Sequence, residues 1–277
     1  MKSGIYLPPF AELADPRRVA DLAAAAEHSG WDGFFIWDHM FGPPGMAVAE
    51  AWTTLAAIAA ATSTIRLGAM VTPLARRRPW TLARQIATLD RLSGGRLVVG
   101  IGLGDDGWLE FSSFGEEVSP RARGELLDES LDVLLALLSG NEASYHGNRL
   151  RVDCPPLLPK AIQDPVPVWA GCVWPNRKPL RRAARVQGCF PIFGGTGPLA
   201  FGPAEVGAVR RELARLGAPR SHEMVVCGAT RTVTPAERED FIAGMREASV
   251  DWLLESFGPG TAVAEVETVV RASPPAA

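Results

Sequence analysis

The chain has 277 residues, of which 47% are hydrophobic, and a formal net charge of -3 at pH 7. Such a chain can bury a sizeable core, and its mild acidity gives no reason to expect nucleic acid or an anionic membrane as a partner. The sequence has no apolar run near the roughly 20 residues that cross a bilayer, no signal-peptide pattern and no C-x-x-C pair among its four cysteines, so we expect a cytoplasmic protein with reduced thiols.

Strand-like and helix-like segments alternate along the whole chain. Helices carry apolar residues at helical spacing. A small hairpin is predicted at 143–152 after the fourth helix, and a frayed tail is predicted at 272–277. This alternation predicts an α/β fold in one domain over residues 1–277. Eight strands are predicted, at residues 3–7, 33–38, 65–71, 97–102, 166–171, 189–193, 224–229 and 252–255.

Two architectures fit this alternation, a (β/α)₈ TIM barrel and a doubly wound open sheet. Eight strand–helix units in roughly 250 residues is typical of the barrel. The sequence also contains no linker-like break. Both observations favour the barrel.

The segment 76–104 is the most informative part of the sequence. Pro79 suits the first turn of a helix, and Gly94 and Gly95 suit its end. The apolar run that follows predicts a strand buried on both faces of a parallel sheet. The strand ends in a run of glycines, and the segment from Arg77 onward reads RRPWTLARQIATLDRLSGGRLVVGIGLG.

This segment strongly resembles the bacterial luciferase-like monooxygenase family, whose members are TIM-barrel oxidoreductases that use FMN or the deazaflavin coenzyme F420. The resemblance extends along nearly the whole chain. It implies a small organic substrate, a separate flavin or deazaflavin reductase as a possible partner, and a homodimer. The high alanine and arginine content suggests a high-GC genome, which slightly favours F420 over FMN as the expected cofactor.

The second predicted strand ends in Asp38-His39. Strand side chains alternate between faces, so the two do not both point into the barrel unless the strand has already turned. A histidine at this place can exchange a proton with the flavin or the substrate, although it can also be an ordinary strand-end residue. The resemblance implies that His39 faces the isoalloxazine ring, and His39 is the first candidate catalytic residue.

The third predicted strand ends near Ala69 and Met70. The resemblance implies a bulge here, with a non-prolyl cis peptide that backs the central ring of the cofactor. The residues themselves describe a plain buried strand equally well.

Residues 102–107 match G-x-G-x-x-G after a strand, but no helix begins at the third glycine. Two carboxylates would also face the pyrophosphate, so we reject a dinucleotide site. In a barrel, Gly102 and Gly104 let the backbone approach the flavin. Asp105 is a candidate acid, base or polar anchor, as in some F420-dependent relatives, or else a solvated loop acid.

The resemblance implies that the cofactor phosphate binds at the ends of the fifth and sixth strands. Helix N–H groups and neighbouring cations suit an anion. The candidate residues for this phosphate site are Gly171, Cys172, Gly194, Gly195 and Thr196. The arginine runs at 76–78 and 181–185 are interpreted as solvated faces.

Two rival functions remain open. A barrel isomerase, aldolase or hydrolase would need a catalytic Glu or Lys, for which Glu255, Lys160 and Lys178 are candidates. A non-catalytic flavin-binding protein would keep its cofactor after His39→Ala. The four histidines show no zinc-ligand spacing, so no metal site is predicted.

Overall fold

The computed structural model describes residues 1–195 and 197–275. Each of the eight predicted strands is found in it, and together with a ninth strand of two residues they form one parallel sheet. Its strands are β1 (Lys2–Leu7), β2 (Gly33–Ile36), β3 (Arg66–Ala69), β4 (Thr72–Pro73), β5 (Val99–Gly102), β8 (Val168–Val173), β9 (Gly188–Ile192), β10 (Glu223–Gly228) and β11 (Trp252–Ser256).

The sheet closes on itself, as a barrel requires. Its strand order is β3-β2-β1-β11-β10-β9-β8-β5-β4, and the two end strands are successive pieces of one segment. A parallel bridge between Leu67 and Leu97 joins the segment before β5 to β3. The prediction of a TIM barrel is therefore confirmed, and the doubly wound open sheet is excluded.

Eight α-helices surround the barrel in the part of the chain that the structure describes. Several begin with proline, whose missing N–H costs nothing in a first turn, and Asp15 caps α1 by accepting from the Arg17 backbone N–H at 2.9 Å. Among the described residues, no helix is both long and apolar enough to cross a membrane. The helices are α1 (Pro16–His28), α2 (Ala51–Ala61), α3 (Pro79–Leu92), α4 (Pro120–Leu138), α5 (Arg177–Ala183), α6 (Pro203–Arg215), α7 (Pro235–Glu247) and α8 (Val263–Arg271).

The predicted hairpin is also present, as β6 (Ala143–His146) paired antiparallel with β7 (Arg151–Cys154). Glu129 on α4 fixes the turn, because its carboxylate accepts backbone N–H groups of Arg149 and Leu150 at 3.0 and 2.9 Å. Burial alone raises the pKa of Glu129, but these hydrogen bonds outweigh it and lower the pKa below its usual value.

Large aromatic side chains fill the barrel interior opposite glycines. Phe35, Trp169 and Trp252 are fully buried there, within 5.4–5.8 Å of one another by ring centroids. A Cβ on Gly33 would lie 2.5 Å from the Phe35 ring, and one on Gly188 would lie 2.4 Å from the Trp169 ring. Glycine at these positions makes room for the rings that fill the barrel.

Glu223 anchors the rings at the amino-terminal end of the barrel. It begins β10, and its carboxylate accepts the indole N–H of Trp169 at 2.8 Å and that of Trp252 at 3.1 Å. Both indole donors are thereby satisfied in the interior, where an unpaired donor is costly. This end of the barrel is filled, and the opposite end is the one open to ligands.

Gly68→Ala tests how tightly the barrel closes. A Cβ on Gly68 would lie 2.1 Å from the backbone oxygen of Val98, which cannot move away as a flexible side chain can. We expect the free energy of unfolding to fall by about 1–3 kcal/mol, measured by urea denaturation. The control is Gly258→Ala, since Gly258 has no atom within 4 Å of such a Cβ. Equal stability of the two variants would contradict the close approach.

Candidate active site

The residues after β2 place three side chains in three directions. Trp37 lines a cavity at the carboxyl-terminal mouth of the barrel. Asp38 turns away from the mouth and is buried, with 3% of its surface exposed. His39 keeps 26% of its side chain exposed. Because β2 ends at Ile36, Asp38 and His39 both follow the strand, and strand alternation does not set their directions.

The Asp38 carboxylate is held by two arginines and a threonine. Arg77 donates to both carboxylate oxygens at 2.8 Å, and Arg76 donates to Oδ1 at 3.0 Å and to the Asp38 carbonyl at 3.2 Å. The Thr72 hydroxyl donates to Oδ2 at 2.9 Å. A buried carboxylate needs such compensation, because an unpaired charge in a protein interior is strongly unfavourable.

Glu110 is a second buried carboxylate, 1% exposed, and it joins the arginines to the histidine. Its Oε2 accepts from Arg76 at 2.9 Å, while its Oε1 lies 3.1 Å from Nδ1 of His39. The same Oε1 accepts the backbone N–H groups of Met40 and Phe41. Asp38 and Glu110 are thus bridged by Arg76 directly beneath His39.

The charge of Glu110 sets the tautomer of His39. Burial by itself raises the pKa of Glu110, but the hydrogen bond and charge of His39 and the charge of Arg76 outweigh it and lower the pKa. A carboxylate can only accept, so Nδ1 of His39 carries the hydrogen. Nε2 is left with a lone pair and can accept a proton.

Aromatic rings surround the imidazole. Ring centroids of Trp108, Trp37 and Phe10 lie 4.9, 5.7 and 5.9 Å from that of His39. Together with the Glu110 bond, these contacts restrict the orientation of the His39 ring. The histidine is therefore positioned before any ligand arrives.

The mouth cavity has a volume of about 380 Å³ and is mainly apolar. Two of its lining groups titrate, and burial keeps both neutral: it raises the pKa of Tyr6 well above its usual value and raises the pKa of Cys227 to about 12. The indole N–H of Trp37 is buried without a hydrogen-bond partner among the described residues. The cavity thus offers apolar walls and a free donor to a ligand.

The chain bends sharply beside this cavity, between β3 and β4. The peptide bond between Met70 and Val71 is cis, as the resemblance implied for this region, and the Tyr6 hydroxyl donates to the Met70 carbonyl at 2.8 Å. Two predicted glycines face the bend: a Cβ on Gly102 would lie 2.2 Å from the Val71 side chain, and one on Gly171 would lie 3.2 Å from it.

Not every predicted site residue faces the mouth. The side chain of Ala69 packs in the layer between sheet and helices, and so does that of Cys172, whose thiol donates to the Ala170 carbonyl at 3.4 Å. These two can therefore reach a ligand at the mouth through their backbone and not through their side chains.

The other predicted residues lie in loops around the mouth. Gly104 has a φ of +75°, which favours glycine. Asp105 is exposed and accepts the Gly107 backbone N–H at 3.0 Å, the arrangement of a solvated loop acid. Gly195 lines the mouth cavity, and a Cβ on Gly194 would meet nothing within 4 Å. Thr196 lies outside the described residues.

The interpretation of the arginine runs as solvated was wrong for three residues. Only 6% of the Arg76 side chain and 18% of the Arg77 side chain are exposed, because the buried Asp38 and Glu110 require counter-charges. Arg182 is 8% exposed and donates to Asp128 at 2.6 Å. Arg78, Arg181 and Arg185 are exposed, as expected.

The residues proposed for a non-redox barrel do not form a catalytic group. Glu255 is 3% exposed, and its carboxylate is occupied by the Thr230 hydroxyl and by Arg231 at 3.0 Å. Lys160 pairs with Asp164 at the surface, and Lys178 is exposed.

Glu110 is the functional residue that sequence reasoning missed. It follows an irregular loop, where apolar periodicity gives no signal. The sequence gives no clue to it, because its partners Arg76 and His39 are 34 and 71 residues away.

Comparison with known proteins adds a family to this geometry. A family model described as luciferase-like monooxygenase matches residues 1–264. An F420-dependent glucose-6-phosphate dehydrogenase of Nakamurella multipartita is 29% identical over 218 residues, which cover 75% of this chain and 61% of that protein. The chain thus spans about three fifths of the length of the curated relatives it matches.

Solved structures show the same fold. A monooxygenase from Streptomyces bottropensis superimposes with a TM-score of 0.80 at 20% identity, covering 98% of this chain and 97% of that one. A coenzyme F420 dependent tetrahydromethanopterin reductase from Methanopyrus kandleri gives a TM-score of 0.74 at 19% identity, covering 99% and 98%. The likeness extends over the whole barrel.

Glu110→Gln tests the buried charge cluster. Because the folded-state pKa of Glu110 lies below its ordinary value of about 4.3, its contribution to stability is complete above that pH and is lost as the pH falls through the folded-state pKa. We expect the variant to lose about 3 kcal/mol at pH 7, with the difference from the wild type shrinking below pH 4. Urea unfolding between pH 3 and 7 measures both. A difference that does not change with pH would contradict an ionised Glu110.

Proposed function

The chain belongs to the luciferase-like monooxygenase family, and from this premise we propose that it is an oxidoreductase that binds coenzyme F420 or FMN at the mouth of its barrel, with F420 preferred. Its substrate is a small organic molecule. The observation that carries the proposal is the Glu110–His39 pair beside the mouth cavity. The F420 preference is supported by the name of the Nakamurella relative.

The residues at the mouth fit a flavin-like group. Apolar walls suit a planar ring, and the unpartnered indole N–H of Trp37 can donate to one of its polar edges. Gly102 and Gly171 make room for the Val71 side chain at the Met70–Val71 bend. The exposed backbone around Gly194 and Gly195 would hold the phosphate.

When bound, the cofactor would supply hydride transfer to or from a carbon of the substrate. The proton that accompanies the hydride must be exchanged with another group. Nε2 of His39 takes it when an alcohol is oxidised and returns it when a carbonyl is reduced. The Glu110 carboxylate stabilises the imidazolium formed in the first case, 3.1 Å from Nδ1.

Glu110 thus acts as a positioning and charge-balancing residue, and His39 as the catalytic base or acid. The aromatic rings around His39 exclude water from one side of the imidazole. Asp105 remains a second candidate for proton transfer, because it lies in the loop that follows β5. The Asp105 carboxylate already accepts the Gly107 backbone N–H, so His39 is the stronger candidate.

Three further features belong to this proposal. We propose a homodimer and a cytoplasmic location, both from the resemblance and the composition. If the cofactor is reduced FMN and the reaction uses oxygen, a separate reductase supplies the reduced flavin. A luciferase-like oxygenase of this kind is the second candidate function, and it is favoured by the similarity in fold to the Streptomyces monooxygenase.

Cofactor titrations test the proposal first. Purified apo-protein is titrated with F420 and, separately, with FMN, and binding is followed by fluorescence. We expect F420 to bind more tightly. Tighter FMN binding would support the oxygenase, to be followed by oxygen uptake with a flavin reductase. If neither cofactor binds at millimolar concentration, the cofactor assignment is wrong and a non-redox barrel takes its place.

His39→Ala tests the catalytic role. We expect kcat with F420 and an active alcohol from a substrate screen to fall by about 10²–10⁴-fold, while the dissociation constant of the cofactor changes little. The matched control is His146→Ala, because His146 also pairs with a carboxylate, Asp153 at 2.8 Å, but on the exposed hairpin. A variant that binds cofactor and keeps wild-type turnover would remove His39 from the mechanism.

A further inference from the structure

We propose that a second cavity, behind the Arg76–Arg77 pairs, binds a phosphate ion or the phosphate group of a small molecule. The cavity lies between the start of α3 and the first half of α4 and has a volume of about 230 Å³. This is below the roughly 300–1,000 Å³ of pockets that hold drug-sized ligands, so it suits a small anion or an end group. The proposal does not rest on the oxidoreductase function.

Arg123 on α4 is the central residue of this cavity. It is 4% exposed, and neither Nε nor Nη1 has a hydrogen-bond partner among the described residues. Its guanidinium lies over the Phe111 ring at 4.5 Å, which leaves its N–H groups directed elsewhere. Burying a guanidinium with free donors is energetically unfavourable unless an anion accepts hydrogen bonds from them.

Two more unpaired donors line the same cavity. Ser130 is 1% exposed, and its hydroxyl has no hydrogen-bond partner among the described residues. The buried Nε of Arg77 has no such partner either. Ser130 follows Arg123 by seven residues, two helical turns, so both lie on one face of α4. Three side chains that line this cavity therefore carry buried, unsatisfied donors.

The start of α3 adds positive potential. Its first residue is Pro79, and its N-cap residue, Arg78, makes no side-chain capping bond. Both residues line the cavity, so the positive end of the helix dipole faces it. The oxygens of a tetrahedral oxyanion can accept from the arginine and hydroxyl donors together.

Acidic groups near the cavity do not replace the anion. Glu116 and Glu117 line it and are exposed, and no ion pair within 4.0 Å joins either to Arg123 in the described part of the chain. Asp106 is influenced by the charge of Arg123, but its Oδ1 is occupied by the Phe111 and Ser112 backbone N–H groups at 2.7 and 3.1 Å.

The site lies next to the candidate active site. Arg76 and Arg77 line this cavity and also hold Asp38 and Glu110. A bound anion would share these two arginines with the carboxylates that position His39.

Phosphate titration of cofactor-free protein tests the proposal. We expect inorganic phosphate, compared with sodium chloride of equal ionic strength, to raise Tm by about 3–6 °C at a concentration far above its dissociation constant. Isothermal titration calorimetry should give one equivalent of phosphate. A second titration with glycerol 3-phosphate distinguishes the free ion from a phosphate ester, since the natural form should bind more tightly.

Arg123→Met is the decisive variant. It keeps an unbranched apolar side chain near Phe111 and removes the charge, so we expect the phosphate equivalent to disappear while F420 binding is retained. Ser130→Ala removes one hydrogen bond, so we expect it to weaken phosphate binding about 3–10-fold. It is the test variant if Arg123→Met does not fold. The matched control is Arg121→Met, since Arg121 is exposed on the same helix.

Unchanged phosphate binding in both Arg123→Met and Ser130→Ala would overturn the proposal and place any bound phosphate elsewhere, such as the mouth. Absence of binding to the wild type at 50 mM phosphate would also overturn it. Loss of F420 binding in an otherwise folded Arg123→Met protein, with phosphate binding intact, would assign Arg123 to the mouth instead.

Discussion

The ion pairs around Asp38 and Glu110 are the interaction on which the candidate site depends. Two buried carboxylates share Arg76, and Arg77 completes the charge balance at Asp38. These pairs join three segments distant in sequence: the end of β2, the turn before α3 and the loop after β5. Each charge alone would be strongly unfavourable in the interior, so the segments are stable only when assembled. The position of His39 follows from that assembly.

The two ends of the barrel are built differently. At the amino-terminal end, tryptophan rings and glycines fill the interior, and Glu223 satisfies the indole donors. At the carboxyl-terminal end, neutral Tyr6 and Cys227 line an open cavity. In TIM barrels generally, active sites lie at the carboxyl-terminal end and residues important for stability at the other. We therefore expect substitutions at the mouth to leave the packing of Trp169 and Trp252 intact.

Much of the fold can be predicted from the sequence, because strand and helix periodicities are local. All eight strands, the hairpin and the place of His39 after β2 follow from apolar patterns and strand ends. The partners of His39 do not, since Glu110 lies 71 residues away in an irregular loop. The arginines at 76 and 77 were misread for the same reason: whether a charged run is solvated depends on carboxylates brought near by the fold. Side-chain direction at Cys172 likewise depends on the strand register.

The filled amino-terminal end has a kinetic consequence. Phe35, Trp169 and Trp252 fill the barrel interior, so a ligand can enter and leave only through the mouth of the barrel. Two ligands that occupy the cavity together cannot pass each other. A ligand that lies deeper in this cavity than a second one would have to enter before it and leave after it. The packing of three aromatic rings would in that way set the order of binding without contacting either ligand.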